Sequence, residues 1–267
     1  MLVDSHCHLN FEDLAARVPE ILAAMDSAGV AGALCVSVTL ETFPEVEALA
    51  LAHPHLFASA GVHPDYADVE EPDVEHLARL ASGARVVAVG ETGLDYFRLG
   101  SGVEWQRERF RRHIRAAREV GKPLIVHTRS AAEDTLRILR EEGADRVGGV
   151  MHCFTETLDV ARAAIDLGFM ISFSGILTFR NAESLREVAR AIPLDAMLVE
   201  TDSPFLAPVP LRGKINEPAF VRHTAQRLAE LRGLGLADIA HRTTENFLRL
   251  FRIDRAALRP VSAAAVN

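Results

Sequence analysis

Residues 104–127 read EWQRERFRRHIRAAREVGKPLIVH. Phe110, Ile114 and Ala117 recur at helical spacing, with arginines on the other face, so 104–120 reads as an amphipathic helix. Gly121 follows, and glycine takes the left-handed conformation that ends a helix. PLIVH at 123–127 is then a short apolar strand. With the β-rich run ARVVAVG at 84–90 before it, the segment is a βαβ unit with its strands buried in a parallel sheet.

The alternation continues in both directions. Further strands are expected at 2–8 (LVDSHCH), 30–37, 56–62, 147–152, 169–173 and 196–201. Helical patterns lie near 12–28, 42–52, 73–81, 132–142, 156–167, 182–191, 217–232 and 237–251. Gly29, Gly143 and Gly168 each stand between a helical pattern and a strand, as Gly121 does. Eight strands with eight following helical segments in 267 residues is the count of an α/β protein of the (β/α)₈ TIM-barrel class. A doubly wound open sheet competes with it. No linker or low-complexity segment divides the chain. A single domain over 1–254 is expected, followed by a small-residue tail at 255–267 (RAALRPVSAAAVN) that frays.

Composition narrows the function classes. Hydrophobic residues make up 49% and charged residues 25%, which excludes a disordered or fibrous chain. A net charge of −8 argues against coating nucleic acid through a broad basic field. Three cysteines make no disulfide framework and suit a reducing cytoplasm. No apolar run approaches the roughly 18 residues of a membrane span, and MLVDSHCHL lacks the basic and apolar regions of a leader. A cytoplasmic protein with no membrane attachment and no obligate protein partner is expected.

The polar residues of interest fall at one end of the expected strands. His6 and His8 close the first strand and His63 follows the third. Glu91 follows the fourth, His127 ends the fifth, His152 ends the sixth and Asp202 follows the eighth. In a barrel these strand ends share the face that carries the active site. Side chains two apart on a strand point the same way, so His6 and His8 can grip one ion while Cys7 turns into the packing. Imidazole and carboxylate suit a first-row divalent metal. Six candidate ligands, His6, His8, Glu91, His127, His152 and Asp202, exceed one tetrahedral site and suffice for two ions sharing a carboxylate. Such a pair can bind both the attacking and the leaving oxygen of a displacement at phosphorus and make hydroxide available at neutral pH. Asp202 can also take the proton of that water. Four imidazoles favour zinc or manganese over magnesium, which prefers oxygen ligands.

The segments DSHCHL, GVHP, VGETGLDY, KPLIVHTRSA, MHCFT, ISFSG and ETDSPFLAPVPLRGKINEP occur in order from residue 4 to residue 218. Together with TTENFLRLF at 243–251 they resemble the TatD family of metal-dependent deoxyribonucleases, a branch of the amidohydrolase-like barrels. The resemblance implies a TIM barrel, divalent-metal dependence and phosphodiester hydrolysis, often 3′→5′ on single-stranded or damaged DNA; relatives are often assayed with magnesium. By position it implies a first metal on His6, His8, Glu91 and Asp202. Glu91 would bridge to a second metal on His127 and His152. His63, Arg212 and Lys214 would contact phosphate. Arg129, two residues after His127, is a weaker candidate for the same task. Glu156 stands where many relatives have glycine, and Asp65 after GVHP also departs from some of them; both bear on substrate preference. Some TatD-like proteins resemble deacylases that remove D-amino acids from tRNA, which makes ester hydrolysis the rival activity and a non-catalytic metal-binding scaffold the other.

Other features carry less. Arg107, Arg109, Arg111, Arg112, Arg115 and Arg118 are diluted by Glu104, Glu108 and Glu119 and read as the solvated face of an outer helix. His53, His55, His76, His113, His223 and His241 are assigned no role. Cys35 and Cys153 read as packing residues. Phe154, Phe173, Phe179 and Phe205 either seal the barrel top or stack on a base.

Overall fold

The helix–glycine–strand segment forms as its sequence dictates. The computed structural model describes residues 1–97, Gly100 and 103–260. In it the helix at Glu104–Val120 ends on Gly121 at φ 67° and leads into the strand Leu124–Arg129. In chain order the elements are β1 (Leu2–Cys7), α1 (Glu12–Ala15), α2 (Val18–Ala28), β2 (Val30–Cys35), α3 (Phe43–Ala52), β3 (Leu56–Ala60), α4 (Val74–Ala81) and β4 (Val86–Asp95). They continue with α5 (Glu104–Val120), β5 (Leu124–Arg129), α6 (Ala132–Glu141), β6 (Gly149–Met151), α7 (Leu158–Asp166), β7 (Phe169–Phe173) and α8 (Glu183–Ala191). The last are β8 (Met197–Val199), α9 (Val221–Arg232) and α10 (Leu236–Phe251).

All eight strands pair in parallel, in sequence order. Just past β8, the chain returns to β1. Cys7 and Ser203 bridge, the His8 N–H donates to the Ser203 carbonyl at 2.9 Å, and the Asp202 N–H donates to the His6 carbonyl at 2.9 Å. The protein is therefore a single-domain (β/α)₈ barrel and not an open sheet. One side of the strands packs on the helices through residues such as Val30, Leu56, Val89, Val126 and Ile171. The alternate side, with Val3, Leu34, Phe57, Ile125, Val150, Met170 and Leu198, forms a second core with Phe247 and Phe251 of α10. Among the described residues no helix is long and apolar enough to cross a membrane.

Three expectations change. The helix expected over 12–28 is broken, because Pro19 has no N–H to continue the first turn and instead stands near the start of α2. The strand expected to stop at Gly90 runs on to Asp95, so Glu91 lies within β4 rather than after it. Its glycines are clearance residues: a Cβ on Gly93 would lie 2.0 Å from the His127 carbonyl, and one on Gly90 2.6 Å from that of Ile125. Finally, part of the tail expected to fray is packed. Residues 255–257 form a 3₁₀ turn capped by Asp254, Leu258 joins the α10 core cluster, and the Arg259 N–H donates to Ala31 at 2.9 Å. Residues 261–267 lie outside the described residues.

Candidate metal centre

Glu91 is the hub of the barrel mouth. It is 2% exposed, and its two oxygens face different histidines. Oε2 lies 3.3 Å from His6 Nε2 and 4.0 Å from His8 Nε2. Oε1 lies 2.7 Å from His152 Nε2 and 3.3 Å from both His127 Nδ1 and His63 Nε2. Asp202 Oδ1 closes the first side, 3.5 Å from His8 Nε2 and 3.7 Å from His6 Nε2. The seven sequence-selected residues thus meet in one place. Three overlapping groups have ligand atoms close enough to share an ion: His6, His152 and Asp202; His6, His8 and Glu91; His63, Glu91 and His127. Asp202 and Cys153 stand in the left-handed region at φ 58° and 41°, a local backbone cost of the kind found at functional sites.

For four of the five rings a second hydrogen bond decides which nitrogen carries the lone pair; among the described residues His6 Nδ1 has no such partner. His8 Nδ1–H donates to the Val36 carbonyl at 3.0 Å, leaving the Nε2 lone pair to the site. His152 Nδ1–H donates to Glu200 Oε1 at 3.2 Å, with the same result. His127 Nε2–H donates to Asp95 Oδ2 at 3.0 Å, so its Nδ1 lone pair points inward. His63 is the reverse: its Nδ1 accepts the Asp65 backbone N–H at 3.1 Å, which puts the proton on Nε2. Its distances alone would admit it as a ligand, but its tautomer makes it a donor toward the cavity, as a phosphate contact requires. The His8 lone pair meets His6 Nε2 at 3.2 Å and the carboxylates of Glu91 and Asp202. Acceptors facing acceptors in a buried site call for a proton or a cation between them. The donor set of imidazole nitrogen and carboxylate oxygen fits divalent metal.

Charge tuning follows the same plan. Burial pushes Glu91 up, but the imidazoles around it, His152 first, hold it well below the usual carboxylate range. Burial likewise raises Asp202, and His8 and His6 bring it below its ordinary value. Burial pulls His152 down, and the Glu91 and Glu200 carboxylates carry it well above. Burial keeps His63 below its ordinary value, which agrees with a neutral ring.

The expected phosphate contacts are dispersed. His63 lines the cavity of about 380 Å³ above the site, with Asp65 and Phe205. Arg129, Arg212 and Lys214 do not line it. The Arg129 guanidinium lies 3.8 Å over the Phe97 ring. That of Arg212 lies 3.8 Å over Phe179 and donates to Ala207 at 3.2 Å; Lys214 is exposed. Glu156, half-buried and raised by burial, does not line the cavity either. Phe154 and Phe173 are buried, so neither is open to a base.

Several supporting residues escape sequence reading. Asp4, fully buried, accepts the Thr201 N–H at 2.8 Å and the Thr201 hydroxyl at 2.6 Å, fixing the chain just before Asp202. Glu200 also takes the Cys153 N–H at 2.8 Å. Arg109 overturns the solvated reading of its helix at one position. It is 1% exposed, pairs with Glu71, and donates to the carbonyls of His63 at 3.0 Å and Tyr66 at 2.7 Å. His113, also buried, accepts the Val62 N–H through Nε2 at 2.9 Å and donates from Nδ1 to Arg109 at 2.8 Å. Both hold the His63 loop from behind. Their signal in the sequence was faint: Arg109 and His113 share the apolar face of Phe110, Ile114 and Ala117 only at the edge of the helical period.

Comparison with known proteins gives the family. The family model described as "TatD related DNase" matches residues 3–252. The chain is 50% identical over 264 residues to the "Uncharacterized metal-dependent hydrolase YcfH" of Escherichia coli, covering 97% of this chain and 99% of that one. It is 34% identical over 258 residues to the "3'-5' ssDNA/RNA exonuclease TatD" of Escherichia fergusonii, covering 94% and 99%. The crystal structure of YJJV, a TatD homologue from E. coli, superposes with a TM-score of 0.88 at 29% identity, over 95% of this chain and 98% of that one. The buried imidazole and carboxylate groups at the barrel mouth bring ligand atoms close enough to hold a metal ion, and the chain belongs to the TatD family of metal-dependent hydrolases.

Proposed function

We propose that the protein hydrolyses phosphodiester bonds of single-stranded nucleic acid, DNA in the first place, stepwise from the 3′ end, and that it does so with two divalent cations. Glu91 carries the reading, because its two oxygens face two separate sets of nitrogen lone pairs. His6, His8, Glu91 and Asp202 would hold one cation, and Glu91, His127 and His152 the other. The named activity of the E. fergusonii relative supports the substrate class. Bound cations of this kind acidify water and offset charge on a transferring phosphoryl group. Asp202, held ionised by the surrounding imidazoles, accepts the proton of the attacking water. His63 presents its Nε2–H to a phosphate oxygen. Arg129, Arg212 and Lys214 attract the strand from outside the cavity. Such groups hold phosphates without reading bases, so sequence preference is weak. Three free thiols suit a reducing cytoplasm, where we place the protein. No protein partner is needed for the chemistry.

The test is a substrate panel with the metal-free protein reloaded with zinc, manganese or magnesium in turn. Single-stranded DNA labelled at the 5′ end should shorten one nucleotide at a time, and removal of metal should abolish it. Hydrolysis of D-aminoacyl-tRNA with nucleic acid strands untouched would replace this reading with an ester hydrolase.

A further inference from the structure

A second cavity, also of about 380 Å³, adjoins the one above the metal centre. Phe11, Val38, Tyr66 and Phe205 form the wall common to both. Beyond that wall the second cavity is lined by the carboxylates of Glu12, Asp13 and Glu45. Among the described residues no lysine or arginine lines either cavity.

The aromatic wall starts at the proposed ligands. Phe11 stacks on His8 with ring centroids 4.7 Å apart, and Phe205 meets Phe11 nearly edge-on at 6.0 Å. Phe205 is 53% exposed, yet its loop has no slack. Its N–H donates to the Asp202 carbonyl at 3.0 Å. The fully buried Asn216 binds the Phe205 carbonyl at 2.6 Å and that of Thr201 at 2.9 Å. A large apolar ring held open by a pinned loop is a preformed stacking surface.

Phosphate and base ask for opposite things here. A base gains from the ring faces, and a nucleoside carries no charge. A phosphate would be set against carboxylates with no lysine or arginine among the described residues lining the cavity, and close like charges repel even in water-like surroundings. The arginines near the mouth, Arg129 and Arg212, are stacked on Phe97 and Phe179, outside both cavities. We propose that the second cavity is the subsite for the strand's terminal nucleoside, its base against Phe205 and Phe11, and that its carboxylates exclude strands continuing with a further phosphate. This rests on the nuclease reading and explains why action would be confined to an end. The acidic, aromatic cavity is thus a specificity determinant: it accepts a terminal 3′-hydroxyl and rejects both a 3′-phosphate and a continuous strand.

The experiment uses the metal-reloaded full chain with three substrates of one sequence: a linear single strand ending in 3′-hydroxyl, the same strand ending in 3′-phosphate, and a closed circle. The expected result is at least tenfold faster turnover of the 3′-hydroxyl strand than of the 3′-phosphate strand, with the circle uncut. Phe205→Ala should raise KM for the 3′-hydroxyl strand roughly tenfold, and Phe205→Trp should restore it. Binding of a phosphorothioate-ended strand, read by fluorescence anisotropy, should weaken and recover in parallel, with metal content constant. Glu12→Gln with Glu45→Gln should narrow the gap between the two linear strands. Equal turnover of both linear strands, or cutting of the circle, would overturn the subsite while leaving the nuclease standing. No turnover of any strand, with D-aminoacyl-tRNA hydrolysed, would remove both.

Discussion

At the residue scale, Glu91 sets a carboxylate oxygen against each of two groups of imidazole nitrogens, and a neutral side chain there would remove the charge that draws a proton or a cation between them. Glu91→Ala should leave the barrel folded, lower bound metal from two ions to one or none, and remove nearly all activity; elemental analysis beside circular dichroism checks it. Asp202→Asn separates ligation from proton transfer. It keeps the size and one oxygen but removes charge and basicity. At saturating metal, kcat should stay down by roughly 10²-fold or more, because the proton moves in the chemical step and not on binding. Complete rescue by added metal would leave Asp202 a ligand only. The carboxylates behind the histidines matter at the same scale. Glu200 fixes the ring of His152, so Glu200→Gln should weaken metal binding by roughly 10- to 100-fold, measured by competition with a chelator. The inward histidines and acids were legible in the sequence because strand-end residues converge in a barrel. Their orienting partners were not. Asp4 and Glu200 act through hydrogen bonds across strands, which no local spacing encodes.

At the element scale, the βα alternation was readable because apolar runs, amphipathic helices and helix-ending glycines are local signals. β4 was misjudged for a physical reason: GETG looks like the end of a strand, yet Gly90 and Gly93 are there so that β5 can approach. α5 was misjudged at Arg109, whose charge is satisfied by Glu71 and two carbonyls rather than by water. The same helix supplies a pH-dependent prop. Burial pushes His113 down to about 4, while an unfolded chain holds its histidines near 6.5. As pH falls the unfolded state therefore binds the proton first. The stability given by the neutral ring is whole above pH ~6.5 and is lost as pH falls through about 4. The gap is worth about 3 kcal/mol. In His113→Gln, which cannot titrate, denaturant unfolding should show a flatter pH profile than the parent between ~6.5 and ~4. Comparison with the parent cancels the other histidines, whose shifts run in both directions. An unchanged profile would mean that the ring is not held neutral against Val62.

At the scale of the whole molecule, a net charge of −8 must coexist with the polyanionic substrate proposed above. Most arginines on the outer helices are already committed: Arg107 to Glu104 and Asp134, Arg111 to Glu141 and Glu142, Arg115 to Glu142, Arg137 to Asp134 and Glu141. The composition excluded a basic coat, and the structure shows why the arginine-rich α5 does not make one. In the proposed function, attraction of a strand then falls to a few cations near the mouth, Arg129, Arg212 and Lys214. None lines the metal cavity, so these residues should act on encounter and not on chemistry. Arg212→Ala with Lys214→Ala should leave metal content and kcat near the parent values and raise KM. The more diagnostic quantity is the salt dependence. Each phosphate neutralised on a single strand contributes a slope of roughly −0.7 in log K against log salt. Losing two such contacts should flatten the slope for kcat/KM by about 1.4. Measuring kcat/KM from low to moderate salt, with the metal concentration fixed, gives the slope directly. Loss of metal with unchanged KM would place the loop in the metal centre. An unchanged slope would mean that the strand leaves the mouth along another side, with Arg129 over Phe97 the next cation to remove.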